Sequence, residues 1–368
     1  MANGSPLESF RDAYAGKRVL ITGHTGFKGS WLTLWLDSLG ARVTGYALVP
    51  EQGRSLFRQA DVESRCEHVE GDVRNAEELA KTVERTRPDF VFHLAAQSLV
   101  RRGYREPLTT FETNVQGTAN LLDALRRLDS PCAVVVVTSD KCYENFGRLE
   151  PYVETDRLGG RDPYSASKAA AEIVAASCRA TFFPPDRLAE HGIAIATARS
   201  GNVIGGGDWC EDRLVPDAVR ALEQDVPISV RNPRSVRPWQ HVLDPLSGYL
   251  LLGTRLAERD AQCCEAWNFG PDPNHVQSVS DVIDAVINRW GSGSWQDASD
   301  PYAPHEAAHL TLSIDKARTR LDWSPCWPFE DAISRTIDWY RRAAAGAPPS
   351  ELADLCLRQI AEHDEARA

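Results

Sequence analysis

Five residues near the middle of the chain carry the most distinctive chemistry in the sequence. Ser139, Asp140 and Lys141 close an apolar run as Thr-Ser-Asp-Lys, and 25 residues after Ser139 comes Tyr164, in Tyr-Ser-Ala-Ser-Lys ending at Lys168. Tyr164 and Lys168 are spaced so that on a helix they share a face. A neighbouring ammonium, joined by a cationic hydride acceptor, favours the phenolate and lowers its reference pKa of about 10. Tyr164 is then a candidate base for an alcohol, and the chemistry is alcohol oxidation. The Asp140–Lys141 pair adds an acid and an amine that plain oxidation does not need. Tyr-x-x-x-Lys alone is a weak signal that also fits a surface tyrosine beside a lysine; its position downstream of Thr-Ser-Asp-Lys favours function.

The elements that position these residues are legible. Arg18–Thr22 reads as a short buried strand, followed directly by Gly23-His-Thr-Gly26-Phe-Lys-Gly29. Phe27, Trp31, Leu34, Trp35 and Leu39 then recur at helical spacing, and Gly40 closes the helix. Further strands are expected at 42–47, about 66–70, 89–95, 133–139 and 193–198, with helices near 76–86 and 108–128 and a long one starting at Pro163, whose fixed φ suits a first turn. The alternation predicts an α/β fold: a doubly wound parallel (Rossmann) sheet that binds ligands beyond the carboxyl ends of its strands. The glycine loop, Ala95-Ala96-Gln97 and Ser139-Asp140-Lys141 all fall at such ends.

Glycines at this spacing between strand and helix let the backbone turn tightly beside a pyrophosphate, and the helix N-terminus offers N–H donors. Gly23, Thr25, Gly26, Phe27 and Gly29, with Val73, Leu94, Ala95 and Ala96 at neighbouring sheet ends, are therefore assigned to a dinucleotide. The acid usually found about 20 residues downstream is missing; Tyr46-Ala47-Leu48 stands there. Arg54 is nearby, but no obvious arginine for a 2′-phosphate replaces the acid, so NAD is expected rather than NADP. Asp72 either holds the adenine amino group or serves as a turn aspartate.

After Asn202 the texture becomes loop-rich. Residues 1–201 are assigned to the NAD-binding domain and 202–345 to a smaller substrate-binding lobe. Segments near 240–270 return to the first domain, and 346–368 form a peripheral tail with a short helix. Ser280 is expected to cap an amphipathic helix containing Val282, Ile283, Val286, Ile287 and Trp290, and 310–314 alternates like a strand. His305-Glu306-Ala-Ala-His309 matches a zinc-protease pattern. The nearby Pro301 and Pro304 and the missing third ligand make it a chance match, and no metal is expected.

Composition narrows the function classes. A net charge of −11 over 368 residues argues against nucleic acid. No apolar stretch approaches the ~20 residues of a membrane span, and the start lacks the basic and apolar regions of a signal peptide. A cytoplasmic protein with reduced thiols is expected, since the nine cysteines show no Cys-x-x-Cys pairing. Only six lysines stand against 35 arginines. A surviving lysine is thus more apt to be kept for ammonium chemistry, and Lys28, Lys141 and Lys168 all lie in motifs.

Taken together, the motifs resemble the extended short-chain dehydrogenase/reductase family, and within it the CDP-glucose 4,6-dehydratase group, over roughly residues 14–345. The markers are TGHTGFKGSWL at 22–32, HLAAQ at 93–97, TSDKCYEN at 138–145, YSASK at 164–168, ARSGNVIGGGDW at 198–209, DRLVPD at 212–217 and VRPWQHV at 236–242. The resemblance implies oxidation of a nucleotide-linked hexose at C4, loss of water across C5–C6, and return of the stored hydride to C6. Tyr164 would deprotonate the 4-hydroxyl, Ser139 would bond the 4-oxygen, and Asp140 would protonate the departing 6-hydroxyl.

Lys141 would be the base at C5, or a cation that stabilises the enolate. As a base it must be neutral, a state reached about once in 2,500 at pH 7 for a lysine of reference pKa about 10.4. The resemblance also places Gln97, Asn202, Arg213, Leu214, Val215 and Arg237 around a CDP-hexose, and Asn114 behind the active-site helix and cofactor. It implies a homodimer, or a dimer of dimers, through helices near 108–128 and 163–180. A 4-epimerase or 4-reductase on the same scaffold is the rival reading. No residue reads the cytosine by a general rule, so CDP follows from the resemblance alone.

Overall fold

The structure is a computed structural model that describes residues 6–50, 53–272, 277–300 and 310–367. Its apolar runs pair side by side. Arg18–Thr22 (β1), Arg42–Ala47 (β2), Glu67–Glu70 (β3), Phe90–His93 (β4), Cys132–Val137 (β5), Ile193–Ser200 (β6) and Ala266–Phe269 (β7) form one sheet in the order β7-β6-β5-β4-β1-β2-β3. Every pairing in it is parallel, with Val19 beside both Val43 and Phe90 and Val134 beside both Val91 and Ile195. Strands β5 and β6 are buried along their whole length, as in a parallel sheet covered on both faces. The order reverses between β1 and β4, and a crevice opens there at the carboxyl ends.

Glycines are required where the chain leaves β1. Gly23 has φ +79°, and a Cβ on it would lie 2.6 Å from the Ala95 nitrogen; one on Gly29 would lie 2.2 Å from the Gly23 oxygen. The helix Phe27–Ser38 can start under β1 only because neither position carries a side chain.

Several boundaries differ from the sequence expectations. The segment near 108–128 is broken into Pro107–Phe111, a wide π-type turn at Glu112–Gln116, and Gly117–Leu125. The wide turn brings Asn114 to the backbone of Gln97, which it bonds twice, and such bulges serve this kind of re-aiming. The amphipathic helix Val279–Trp290 is capped by Ser278, not Ser280, because Asp281 completes a capping box three residues after Ser278. Residues 310–314 contribute a single bridge from Leu312 to Tyr152. The His305-to-His309 pattern lies outside the described residues.

Beyond β6, Val203–Ile204 pairs with Gln240–His241, and the helix Leu243–Ala257 packs on β5 and β6 before β7 joins the sheet. Helices Leu214–Glu223 and Val279–Trp290 pack together beyond the sheet's carboxyl edge.

The tail differs most from expectation. Pro349–Ala366 is an 18-residue helix with Leu352, Cys356, Ile360, His363 and Asp364 buried. It packs on the helices Phe27–Ser38 and Phe329–Ala344. His363 Nε2 lies 3.0 Å from Asp244 Oδ1, both side chains fully enclosed, and the Cys326 amide donates to the same oxygen at 2.7 Å. This helix is core, not periphery. Ile360→Ala is therefore expected to lower the unfolding free energy by about 2–4 kcal/mol in urea titrations. A loss within the ~0.5 kcal/mol of surface changes would return the helix to the periphery. Among the described residues no helix is long and apolar enough to cross a membrane.

Candidate active site

A cavity of about 1040 Å³ lies over the carboxyl ends of the strands. Its lining includes Gly23, Thr25, Gly26, Phe27, Gly29, Asp72, Val73 and Leu94–Ala96, together with Asn202, Arg213, Leu214, Val215 and Arg237. Ser139, Asp140, Lys141, Tyr164 and Lys168 line the same cavity. Sequence positions spread over some two hundred residues thus meet in one crevice.

Two expected site residues do not reach it. The Gln97 amide is turned inward, donating to Thr110 Oγ1 at 2.9 Å and accepting the Leu99 amide at 2.6 Å. Asn114 Nδ2 donates to the Gln97 carbonyl and to Ser167 Oγ, at 2.9 and 2.8 Å. Both shape the floor of the crevice rather than contacting what fills it. The Asn114 side-chain amide satisfies the Gln97 backbone while the Gln97 amide satisfies Leu99 and Thr110, and the sheet-end motif does not distinguish that use from ligand binding.

The dinucleotide end fits its expected occupant. Gly26 caps the helix Phe27–Ser38 with no side-chain bond, and its first turn carries no acid. Its leading N–H groups are thus available to a pyrophosphate. Thr25 Oγ1 donates to the Leu48 carbonyl at 3.0 Å. The Asp72 carboxylate is held by Arg74, with Nε at 2.8 Å and the amide at 2.9 Å, which is the turn use. Arg74 keeps that carboxyl below the usual range against a smaller opposing effect of burial.

Ser139 caps a single 3₁₀ turn, Asp140–Cys142. Its Oγ donates to Asp140 Oδ1 at 2.8 Å and accepts the Lys141 amide at 3.2 Å. Asp140 is 1% exposed, and its Oδ2 makes no hydrogen bond among the described residues. Lys141 is half-buried and faces the cavity.

Tyr164 and Lys168 lie in the helix Pro163–Thr181, started by Pro163 and capped by Asp162, which accepts the Ser165 amide at 2.9 Å. Lys168 Nζ donates to the Val137 carbonyl at 3.3 Å. Burial pulls the Lys168 ammonium down to about 8, with Glu172 opposing. Tyr164 departs from the expected lowering. Burial pushes its phenol up to about 12, and the Ser139 hydrogen bond offsets only part of that. Lys168 spends its proton on the Val137 carbonyl, so the chain alone does not lower the phenol.

Behind this helix Glu172 is buried against Arg199 at 2.8 Å and also accepts from Thr138 and from Thr197, the latter at 2.7 Å. Arg213 pairs with Asp208 at 2.7 Å and donates to Ser98 Oγ at 3.0 Å. Arg237 NH1 donates to the Val236 carbonyl at 3.0 Å.

The sequence left Lys28 without a role. It is half-buried and lines the same cavity, with Nζ 2.6 Å from Ser200 Oγ and 3.3 Å from Tyr249 Oη, two neutral partners. The scarcity of lysines was the available signal. Burial pulls its ammonium from 10.5 to about 7. The unfolded chain then binds the extra proton between pH 7 and 10.5, so this site's contribution to stability rises with pH across that window and is flat below it. Lys28→Met is expected to stabilise the chain by about 1–2 kcal/mol at pH 6.5, the lost hydrogen bonds offsetting part of the relief. Thermal unfolding should show the gain shrinking as pH rises above 7 and gone before pH 10, and a gain independent of pH would contradict a buried charge as its cause.

The fold and crevice define a Rossmann-type enzyme class with a glycine loop that suits a dinucleotide. The GDP-mannose 4,6 dehydratase family model matches residues 20–336, and the chain belongs to that family. A CDP-glucose 4,6-dehydratase from Salmonella typhimurium strain LT2 is 44% identical over 332 residues, covering 90% of this chain and 92% of that one. The crystal structure of a Streptomyces venezuelae dTDP-glucose 4,6-dehydratase with NAD superposes with TM-score 0.72 at 25% identity, over 90% of this chain and 99% of that one. A UDP-glucose 4-epimerase from Thermotoga maritima has TM-score 0.75 at 20% identity over 88% and 99% of the two chains, a likeness of fold.

Proposed function

We propose that the chain is an NAD-dependent 4,6-dehydratase that converts CDP-D-glucose to CDP-4-keto-6-deoxy-D-glucose and water. The observation that carries this reading is that Asp140 and Lys141 line the same crevice as Tyr164, Lys168 and the glycine loop. The 44% identical relative supports CDP-glucose as the substrate.

NAD, held at the loop of Gly23, Gly26 and Gly29, would supply a hydride acceptor for C4 of the sugar and a hydride donor for C6. Tyr164 takes the proton of the 4-hydroxyl, and Ser139 hydrogen-bonds the 4-oxygen. The 4-keto group acidifies C5, and Lys141 removes that proton. Asp140 delivers a proton to the 6-hydroxyl, which leaves as water. Asn202, Arg213 and Arg237 face the diphosphate end, where an arginine fork suits paired phosphates. Leu214 and Val215 line the nucleotide pocket. A 4-epimerase needs no acid at C6, so the Asp140–Lys141 pair favours the dehydratase over that rival.

Two helices of this chain leave Leu108, Phe111, Ile173 and Phe182 exposed, which supports a homodimer built on them. All nine cysteines are unpaired, in keeping with a reducing cytoplasm.

The test is CDP-glucose carrying deuterium at C4, incubated with catalytic NAD. The label should reappear on the C6 methyl group with loss of one water by mass spectrometry. Label lost to solvent, or a 4-epimer as product, would overturn the reading. A parallel panel of dTDP-, UDP- and GDP-hexoses tests the nucleotide.

A further inference from the structure

The short turn that carries Asp140 and Lys141 is gripped at both ends from one buried ion pair. Glu172 lies one helical turn beyond Lys168 and two beyond Tyr164, on the same helix. Its Oε1 accepts the hydroxyl of Thr138, the residue before Ser139. Its Oε2 accepts Arg199 NH2 at 2.8 Å and Thr197 Oγ1 at 2.7 Å. Arg199 NH1 in turn donates to the hydroxyl of Tyr143, the residue after the turn, at 2.7 Å. The 3₁₀ turn Asp140–Cys142 is thus entered from a strand end held by Glu172 and left at a residue held by Arg199. One turn back along the helix, Lys168 Nζ donates to the carbonyl of Val137, next to Thr138, at 3.3 Å.

Thr138, Tyr143, Glu172, Thr197 and Arg199 are each at most 6% exposed. An ion pair at this depth is a poor source of stability. Apolar side chains of the same volume hold a core as well or better, because they escape the desolvation of two charges. What the pair supplies and an apolar pair does not is direction, since a carboxylate and a guanidinium fork make bonds of fixed geometry. Here those bonds run from the helix of Tyr164 and Lys168 to the two residues that flank the turn of Asp140 and Lys141.

We propose that Glu172 and Arg199 are positioning residues, whose ion pair clamps both ends of the Ser139–Cys142 turn and so sets Asp140 and Lys141 in register with Tyr164 and Lys168. The proposal rests on the dehydratase reading above. One sugar must present C4 to the helix pair and C5–C6 to the turn pair within a single turnover. A turn displaced by roughly 1 Å leaves the oxidation groups in place and can slow the dehydration step by on the order of 10²-fold.

The experiment compares three variants that keep side-chain volume. Thr138→Val and Tyr143→Phe each remove the bond at one flank of the turn. Thr197→Val removes the same kind of bond from the same carboxylate, at a residue that does not adjoin the turn. With CDP-glucose and catalytic NAD, the two flank variants should each lose about tenfold in kcat with KM within about twofold, and reduced nicotinamide should build up in a single turnover. Thr197→Val should keep kcat within about twofold, and Thr138→Ser, which restores the hydroxyl, should recover most of what Thr138→Val loses. Equal losses in Thr138→Val and Thr197→Val would reduce the pair to core support and overturn the clamp. So would a loss at one flank alone, or at neither.

A readout independent of turnover is the NMR resonance of the labelled Asp140 carboxyl carbon, assigned with Asp140→Asn. It should move in Thr138→Val and Tyr143→Phe and stay in place in Thr197→Val; equal shifts in all three would contradict a clamp on the turn. Failure of the dehydratase reading looks different, since the unaltered chain would then give no 4-keto-6-deoxy product.

Discussion

Lys141→Met is expected to stop the reaction halfway: C4 is still oxidised once, the absorbance of reduced nicotinamide appears in a single turnover, and water loss falls by about 10²–10⁴-fold. The reason is positional. Lys141 follows Asp140 in the short turn at the end of β5 and faces the cavity, whereas the oxidation groups Tyr164 and Lys168 stand on another helix. Lys141→Arg separates the two roles open to an amine here. Guanidinium keeps the charge but cannot give up a proton in a protein. If Lys141 is the C5 base, Arg fails as badly as Met; if it only stabilises the enolate, Arg keeps activity within about tenfold. Dehydration at the normal rate in Lys141→Met would remove Lys141 from the mechanism.

The second large effect is structural. Arg199→Met is expected to cost about 3–5 kcal/mol in denaturant unfolding at neutral pH, because it leaves the buried Glu172 carboxylate unpaired. Arg199 also donates to Tyr143 Oη at 2.7 Å and to the Glu154 carbonyl at 3.1 Å. Burial pushes the Glu172 carboxyl up, but Arg199 and the threonine hydroxyls pull it below 4.5. Its contribution is present above the unfolded value and lost as pH falls through the folded one. In the variant the carboxyl takes up a proton more readily. The gap from the unaltered chain should therefore be widest near pH 7 and narrow below about pH 5. A gap constant to pH 4 would mean that the pair contributes packing and not charge compensation.

Much of this site was legible because it is made of local signals at sheet ends. The glycine loop, Thr-Ser-Asp-Lys and Tyr-Ser-Ala-Ser-Lys each announce a strand end or helix start, and a parallel sheet gathers such ends along one edge. Partners that meet across the fold were not legible. Nothing near Gln97 in sequence shows that Asn114 and Thr110 will occupy it. Nothing near Lys28 shows Ser200 and Tyr249, more than 170 residues away. The Ser278 cap is signalled by Asp281 three residues on, whereas Ser280 lies nearer the apolar stripe and reads as the cap from that stripe alone. The tail helix carried its stripe at 352, 356, 360 and 363, but its charged outer face and terminal position read as solvent-exposed. Tyr164 shows a different limit: spacing predicts which groups are neighbours, while burial decides the sign of the shift.

The placing of the final helix sets a timetable for biosynthesis. Trp35 is fully buried, on a helix that the last helix of the chain covers, and Arg367 reaches the Phe10 ring at 5.0 Å. As the polypeptide emerges from the ribosome, the indole-rich flank beside β1 is made early and stays uncovered until Pro349–Ala366 follows it out. The nascent chain thus carries an unsealed aromatic surface for as long as residues 39–348 are still being made.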